Sequence, residues 1–108
     1  MKNIKNPATI LDLLNKIVSK SKNFRLQAAK NYKNQGMTVV PYESTIAYSE
    51  KFPENLFLIN KNMIFDKSIE DSSYDVWKFD EKANYKKIDA IEFDRDFFKN
   101  LKIIKTIE

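Results

Sequence analysis

The stretch Asn31–Tyr42, NYKNQGMTVVPY, holds Gly36, the only glycine among 108 residues, and the backbone changes character on either side of it. Before it, Phe24, Ala28, Ala29 and Tyr32 recur at helical spacing, with Arg25, Gln27, Lys30, Asn31, Lys33 and Asn34 between them. After it, Met37-Thr38-Val39-Val40 is rich in β-branched side chains and is followed by Pro41, so the local preference turns to strand. Gly36 is therefore expected just past a helix end, where a positive φ is wanted. A phosphate loop needs the reverse order, strand then glycines then helix, because the amides that hold the anion belong to a helix N-terminus. With a single glycine, neither a dinucleotide fingerprint nor a P-loop can be written in this chain.

Working back from Tyr32, Asn23 is expected to cap that helix. Upstream, Asn6 caps a first helix with Pro7 in its opening turn, where the missing amide hydrogen costs nothing. Ile10, Leu11, Leu13, Leu14, Ile17 and Val18 form its apolar face. The polar run Ser19-Lys20-Ser21-Lys22 predicts an end near Ser21 or Lys22, and hence a helical hairpin over the first third of the chain.

Working forward, Met37–Tyr42 and Thr45–Tyr48 read as strands, with Phe52-Pro53-Glu54-Asn55 breaking the chain after them. Leu56–Ile59 and Met63–Phe65 flank Asn60-Lys61-Asn62, which predicts a hairpin because two of those three residues tolerate left-handed backbone. Lys67–Ser73 reads as a loop. Tyr74–Phe79 and Tyr85–Phe93 read as strands around a turn at Asp80–Asn84, and Asp94 as the cap of a short helix Arg95–Leu101 before Ile103-Ile104. The expected fold is a single α+β domain over residues 1–108: an N-terminal helical hairpin on a four- to five-stranded, mainly antiparallel sheet, with a short C-terminal helix.

Composition excludes several chemistries. No cysteine means no disulfide, zinc-thiolate site or thiol nucleophile. No histidine removes imidazole ligands and the usual acid/base group near neutral pH. No cofactor and no transition metal are expected, since only hard oxygen ligands remain. The longest apolar run is Leu56–Ile59, far short of the ~20 residues that span a bilayer, and Met1–Pro7 has the charge of a signal peptide without its apolar segment. These features predict a cytoplasmic protein that does not engage a membrane.

A net charge of +4 permits an anionic partner, yet seventeen of the nineteen cations are scattered lysines and the only arginines are Arg25 and Arg95. The bias toward Lys, Asn and Ile resembles AT-rich coding, common in mobile elements, which inflates lysine without functional cause. Aromatics beside lysines, as in Trp77-Lys78 and Tyr85-Lys86-Lys87, suit base stacking in a basic groove. The nucleic-acid candidates are Arg25, Lys86, Lys87 and Arg95, and with Glu92 they would also serve a small metal-free ribonuclease toxin.

Two acidic patterns bear on Mg²⁺ or Mn²⁺. Glu92, Asp94 and Asp96 alternate, but Phe97 and Phe98 continue helically, which favours cap and first-turn roles for the acids. Asp66 followed by Asp80-Glu81-Lys82 matches a nuclease-like Asp then acid-x-Lys order, although roughly two such triplets arise by chance at this composition.

The strongest functional signal is apolar excess on the strands. Two helices cover one face of a small sheet, so the other needs the tail, a second copy or a partner. The reading is a small non-enzymatic binding protein, an inhibitor, immunity or antitoxin-like factor, acting on a protein partner or as a homodimer. Tyr74, Val76, Trp77, Phe57 and Ile59 are its interface candidates, and RNA binding is the alternative.

Overall fold

The computed structural model describes residues 7–66, 69–88 and 99–107. One helix, α1 (Pro7–Asn34), is followed by five strands: β1 (Thr38–Ser49), β2 (Leu56–Asp66), β3 (Ile69–Phe79), β4 (Tyr85–Ile88) and β5 (Leu101–Ile107). They form one antiparallel sheet in the order β4-β3-β2-β1-β5. The first four strands form a meander, and β5 joins the free edge of β1.

The expected helical hairpin is replaced by a single 28-residue helix. Its inward stripe runs unbroken through Leu13, Ile17, Ser21 and Phe24, all buried. Ser21 holds the place an apolar residue would take, and its hydroxyl donates back to the Val18 carbonyl at 2.9 Å, so the polar run conceals a continuous stripe. Pro7 opens the helix, while Asn6 lies outside the described residues. At the other end Gly36 has φ 78°. Met37 N–H donates to the Tyr32 carbonyl at 2.9 Å and Gly36 N–H to the Lys33 carbonyl at 3.0 Å, the paired bonds of a Schellman cap. Gly36 is a helix terminator.

The strands are longer than their sequence suggests. The two segments expected at Met37–Tyr42 and Thr45–Tyr48 belong to one strand, β1, with a register shift between Pro41 and Glu43. That shift absorbs Pro41: among the described residues β5 pairs with β1 from Ser44 onward, so the proline sits at a bulge on a local edge. The hairpin expected around Asn60-Lys61-Asn62 is also absent, because those residues run through the middle of β2, with Ser44 opposite Asn60 and Asp75 opposite Asn60 on the other side. Ile69–Ser73, expected as loop, extends β3. The turn at Asp80–Asn84 is present: Asp80 Oδ1 accepts from the Lys82 and Asn84 amides, both at 2.9 Å, and Ala83 takes φ 64°.

The short C-terminal helix expected over Arg95–Leu101 is corrected at its end, since Leu101 starts β5. Arg95, its cap Asp94 and the strand residues expected beyond Ile88 lie outside the described residues.

α1 packs on one face of the sheet. Leu13, Ile17 and Phe24 meet Ile46, Leu56, Leu58, Trp77 and Phe79 there. On the opposite face Phe57, Ile59, Val76 and Ile88 form a second cluster, with Leu101 against it. Both clusters follow from strand alternation.

Candidate functional site

Three rows of side chains cross the sheet on the α1 side. Two are apolar, Ile46-Leu58-Trp77 and Tyr48-Leu56-Phe79. Phe24 of the helix stacks on Trp77 at 4.4 Å between ring centroids and 9° between planes. The third is polar: Ser44, Asn60 and Asp75 lie side by side on β1, β2 and β3. Arg25 Nε donates to Ser44 Oγ at 2.8 Å, and that hydroxyl donates to Asn60 Oδ1 at 2.6 Å. Asn62 Nδ2 donates to Asp75 Oδ2 at 3.0 Å, and Lys87 pairs with Asp75 Oδ1 at 3.3 Å. Ser44, Asn60 and Asn62 are almost wholly buried, so these bonds offset the cost of removing them from water. Nδ2 of Asn60 is buried and has no hydrogen-bond partner among the described residues. Ser44 faces a guanidinium and an amide and no base, so this row has no arrangement that would activate a hydroxyl. Sequence reasoning missed it because Asn60 and Asn62 read as turn residues. The available signal was their spacing of two, which puts both on one face of a strand.

The face away from α1 holds the candidate site. A hollow of about 370 Å³ is lined by Thr45 and Ala47 of β1, Ile59 and Lys61 of β2, Tyr74 of β3, and Leu101 and Ile103 of β5. Alternation places these β1, β2 and β3 residues on one side of the sheet, and β5 supplies the outer wall. Tyr74 is 54% exposed and Ile103 is 66% exposed, whereas Ala47 and Ile59 beneath them are buried. The polar end is set by Glu43, which takes Lys61 at 3.2 Å and the Thr45 hydroxyl at 3.1 Å. A second hollow, also about 370 Å³, adjoins the first through Leu101 and is lined by Ser49, Glu50, Lys51, Lys99, Asn100 and Lys102. Lys102 pairs with Glu50 at 2.8 Å, and the hydrogen bond to Glu50, with its charge, raises the Lys102 pKa above the usual lysine value.

The five interface candidates divide between the faces. Phe57, Ile59 and Val76 lie on the outer face but are buried, Tyr74 stands exposed above them, and Trp77 is in the core under α1. Leu101 and Ile103 complete the hollow and were not singled out from the sequence; Ile103-Ile104 read only as an apolar tail.

Of the nucleic-acid candidates, Arg25 and Lys87 stand at the two ends of the Ser44-Asn60-Asp75 row on the α1 side, each engaged within the fold. Arg25 is half-buried and bound to Ser44 and to the Ile107 carbonyl. Lys87 lies on the α1 side against Asp75 and above the Trp77 ring, while its neighbour Lys86 alternates to the other side. Arg95 and Glu92 lie outside the described residues.

The acidic patterns fare similarly. Asp66 ends β2 and Asp80 follows β3, and because the register sets Leu56 opposite Phe79 and Asp66 opposite Ile69, the two acids belong to opposite ends of the sheet. Asp80 also spends its carboxylate on its own turn. Glu92, Asp94 and Asp96 lie outside the described residues. Among the described residues no cluster of three carboxylates is placed to hold a metal ion, and no helix is long and apolar enough to cross a membrane.

Compared with known protein families, curated proteins and solved structures, the chain matches none.

Proposed function

We propose that this chain is a small non-enzymatic binding protein whose docking surface is the sheet face away from α1. One observation carries the reading: an apolar hollow between β1, β2, β3 and β5 is open to solvent, with two large side chains, Tyr74 and Ile103, standing more than half exposed at its rim. The exposed apolar surface around a concavity is the usual mark of an interaction site. A protein partner suits it better than nucleic acid, because Arg25 and Lys87 lie on the α1 side and are engaged within the fold, which leaves Lys86 alone of the described candidates on the outer side. An inhibitor or immunity-type role fits a rigid sheet face that needs no catalytic group.

The test uses variants that leave the core untouched. Ile103→Asp and Tyr74→Ala should keep the far-ultraviolet circular dichroism of the parent and lose the partner that the parent captures from its host, or the self-association it shows alone. Retention of the same partner by both folded variants refutes the reading, as does a parent that is monomeric and captures nothing.

A further inference from the structure

We infer that the segment docked on this face is an extended, acidic stretch of a partner protein carrying one bulky apolar side chain; this rests on the proposed docking function. The two hollows meet at Leu101 and together follow β1 from Thr45 to Ser49. Four strand steps are about 13 Å, the reach of some five extended residues. Their linings differ in kind. The first is floored by Ala47 and Ile59 and walled by Tyr74 and Ile103, which suits one large apolar side chain.

The second carries the ammonium groups of Lys51 and Lys99 beside the Lys102–Glu50 pair, which alternation sets toward the α1 side with Tyr48. Glu50 is occupied with Lys102, and among the described residues no carboxylate lies within ion-pair distance of Lys51 or Lys99. Among the described residues the groove is therefore apolar at one end and carries the unpaired charges of Lys51 and Lys99 at the other. The complement is a chain with an apolar anchor and carboxylates two to four residues away along it.

The probe is a fluorescein-labelled nonapeptide, Ser-Glu-Glu-Ser-Phe-Ser-Glu-Glu-Ser, with three relatives: glutamines for the glutamates, lysines for the glutamates, and alanine for the phenylalanine. Fluorescence anisotropy with the full chain should show binding of the first that weakens with salt. Affinity should fall by about thirtyfold without the aromatic anchor. It should fall by about tenfold in the doubly substituted Lys51→Glu, Lys99→Glu protein, whose positions are exposed and whose fold is checked by circular dichroism.

Equal binding of the glutamine peptide overturns the acidic partner while leaving the docking face in place, since Ile103→Asp would still abolish it. Failure of the acidic peptide to bind overturns the inference, as does its displacement by an unlabelled uridine oligonucleotide. A parent dimer in sedimentation that dissociates on Ile103→Asp assigns the groove to a second copy and overturns it too.

Discussion

Replacing Trp77 and Tyr74 by alanine, one at a time, tests the register on which every assignment of faces depends. The two residues are three apart on β3 and so point to opposite sides of the sheet. Trp77 is 7% exposed and stacked on Phe24. Burying some 200 Å² of aromatic surface at about 25 cal/mol per Å² gives roughly 4 to 5 kcal/mol, in agreement with the 3 to 5 kcal/mol seen for aromatic-to-alanine changes in cores. The same arithmetic for half-exposed Tyr74 gives at most about 2 kcal/mol, and the extended-chain reference overstates even that. Urea unfolding followed by far-ultraviolet circular dichroism is the suitable assay, because Trp77 is the only tryptophan and its loss removes the fluorescent probe. In a domain of this size each kcal/mol moves the melting temperature by about 4 to 8 °C, so Trp77→Ala should lower it by at least ~12 °C. A one-residue slip of β3 would send Trp77 to the outer face and the tyrosine to the core side. If Tyr74→Ala costs as much as Trp77→Ala, or more, the assignment of faces is wrong and the candidate site goes with it.

Three further outcomes follow from the same structure. Gly36→Ala should lower stability by about 1 kcal/mol, measured by denaturant midpoint; a Cβ there would meet nothing within 4 Å, so the whole cost is the positive φ. Ser44→Ala should cost about 1 to 3 kcal/mol by stranding Asn60 Oδ1 and Arg25 Nε, and combining it with Asn60→Ala should cost less than the two separate losses added, which a double-mutant cycle reads directly. The raised pKa of Lys102 has a definite sign: its contribution is fully present below the unfolded value of 10.5 and is lost as pH rises through the higher folded value. The melting-temperature difference between the parent and Lys102→Met should therefore stay flat from pH 6 to 9 and narrow only above about pH 10, and narrowing below pH 9 would contradict the Glu50 pairing.

The polar residues inside elements explain why one helix reads as a helical hairpin and one strand as a β-hairpin. Ser21 interrupts a helical apolar stripe and Asn60-Lys61-Asn62 interrupts a strand, and each carries the local marks of a break. Local preference for such residues spans about 1 kcal/mol. A buried hydroxyl bonded to its own helix, and asparagines bonded to Ser44 on β1 and Asp75 on β3, outweigh that preference. Neither set of bonds is visible to a window of ten residues, since the Asn60 and Asn62 partners lie 16 and 13 residues away.

By itself the sequence determined the α+β composition of the domain, the change from helix to strand at Gly36, the turn at Asp80–Asn84 and the absence of every chemistry that needs cysteine, histidine or a glycine-rich loop, because these rest on residue type and nearest neighbours. Only the tertiary structure decided that α1 is one helix, that β5 closes on β1, and that Tyr74, Leu101 and Ile103 share a hollow. Tyr74 and Ile103 are 29 positions apart and lie on strands that are not adjacent in the sheet. What brings them to one face is the pairing of β5 with β1 beyond the far edge of the meander, a contact set by the burial of whole sheet faces and by no local signal.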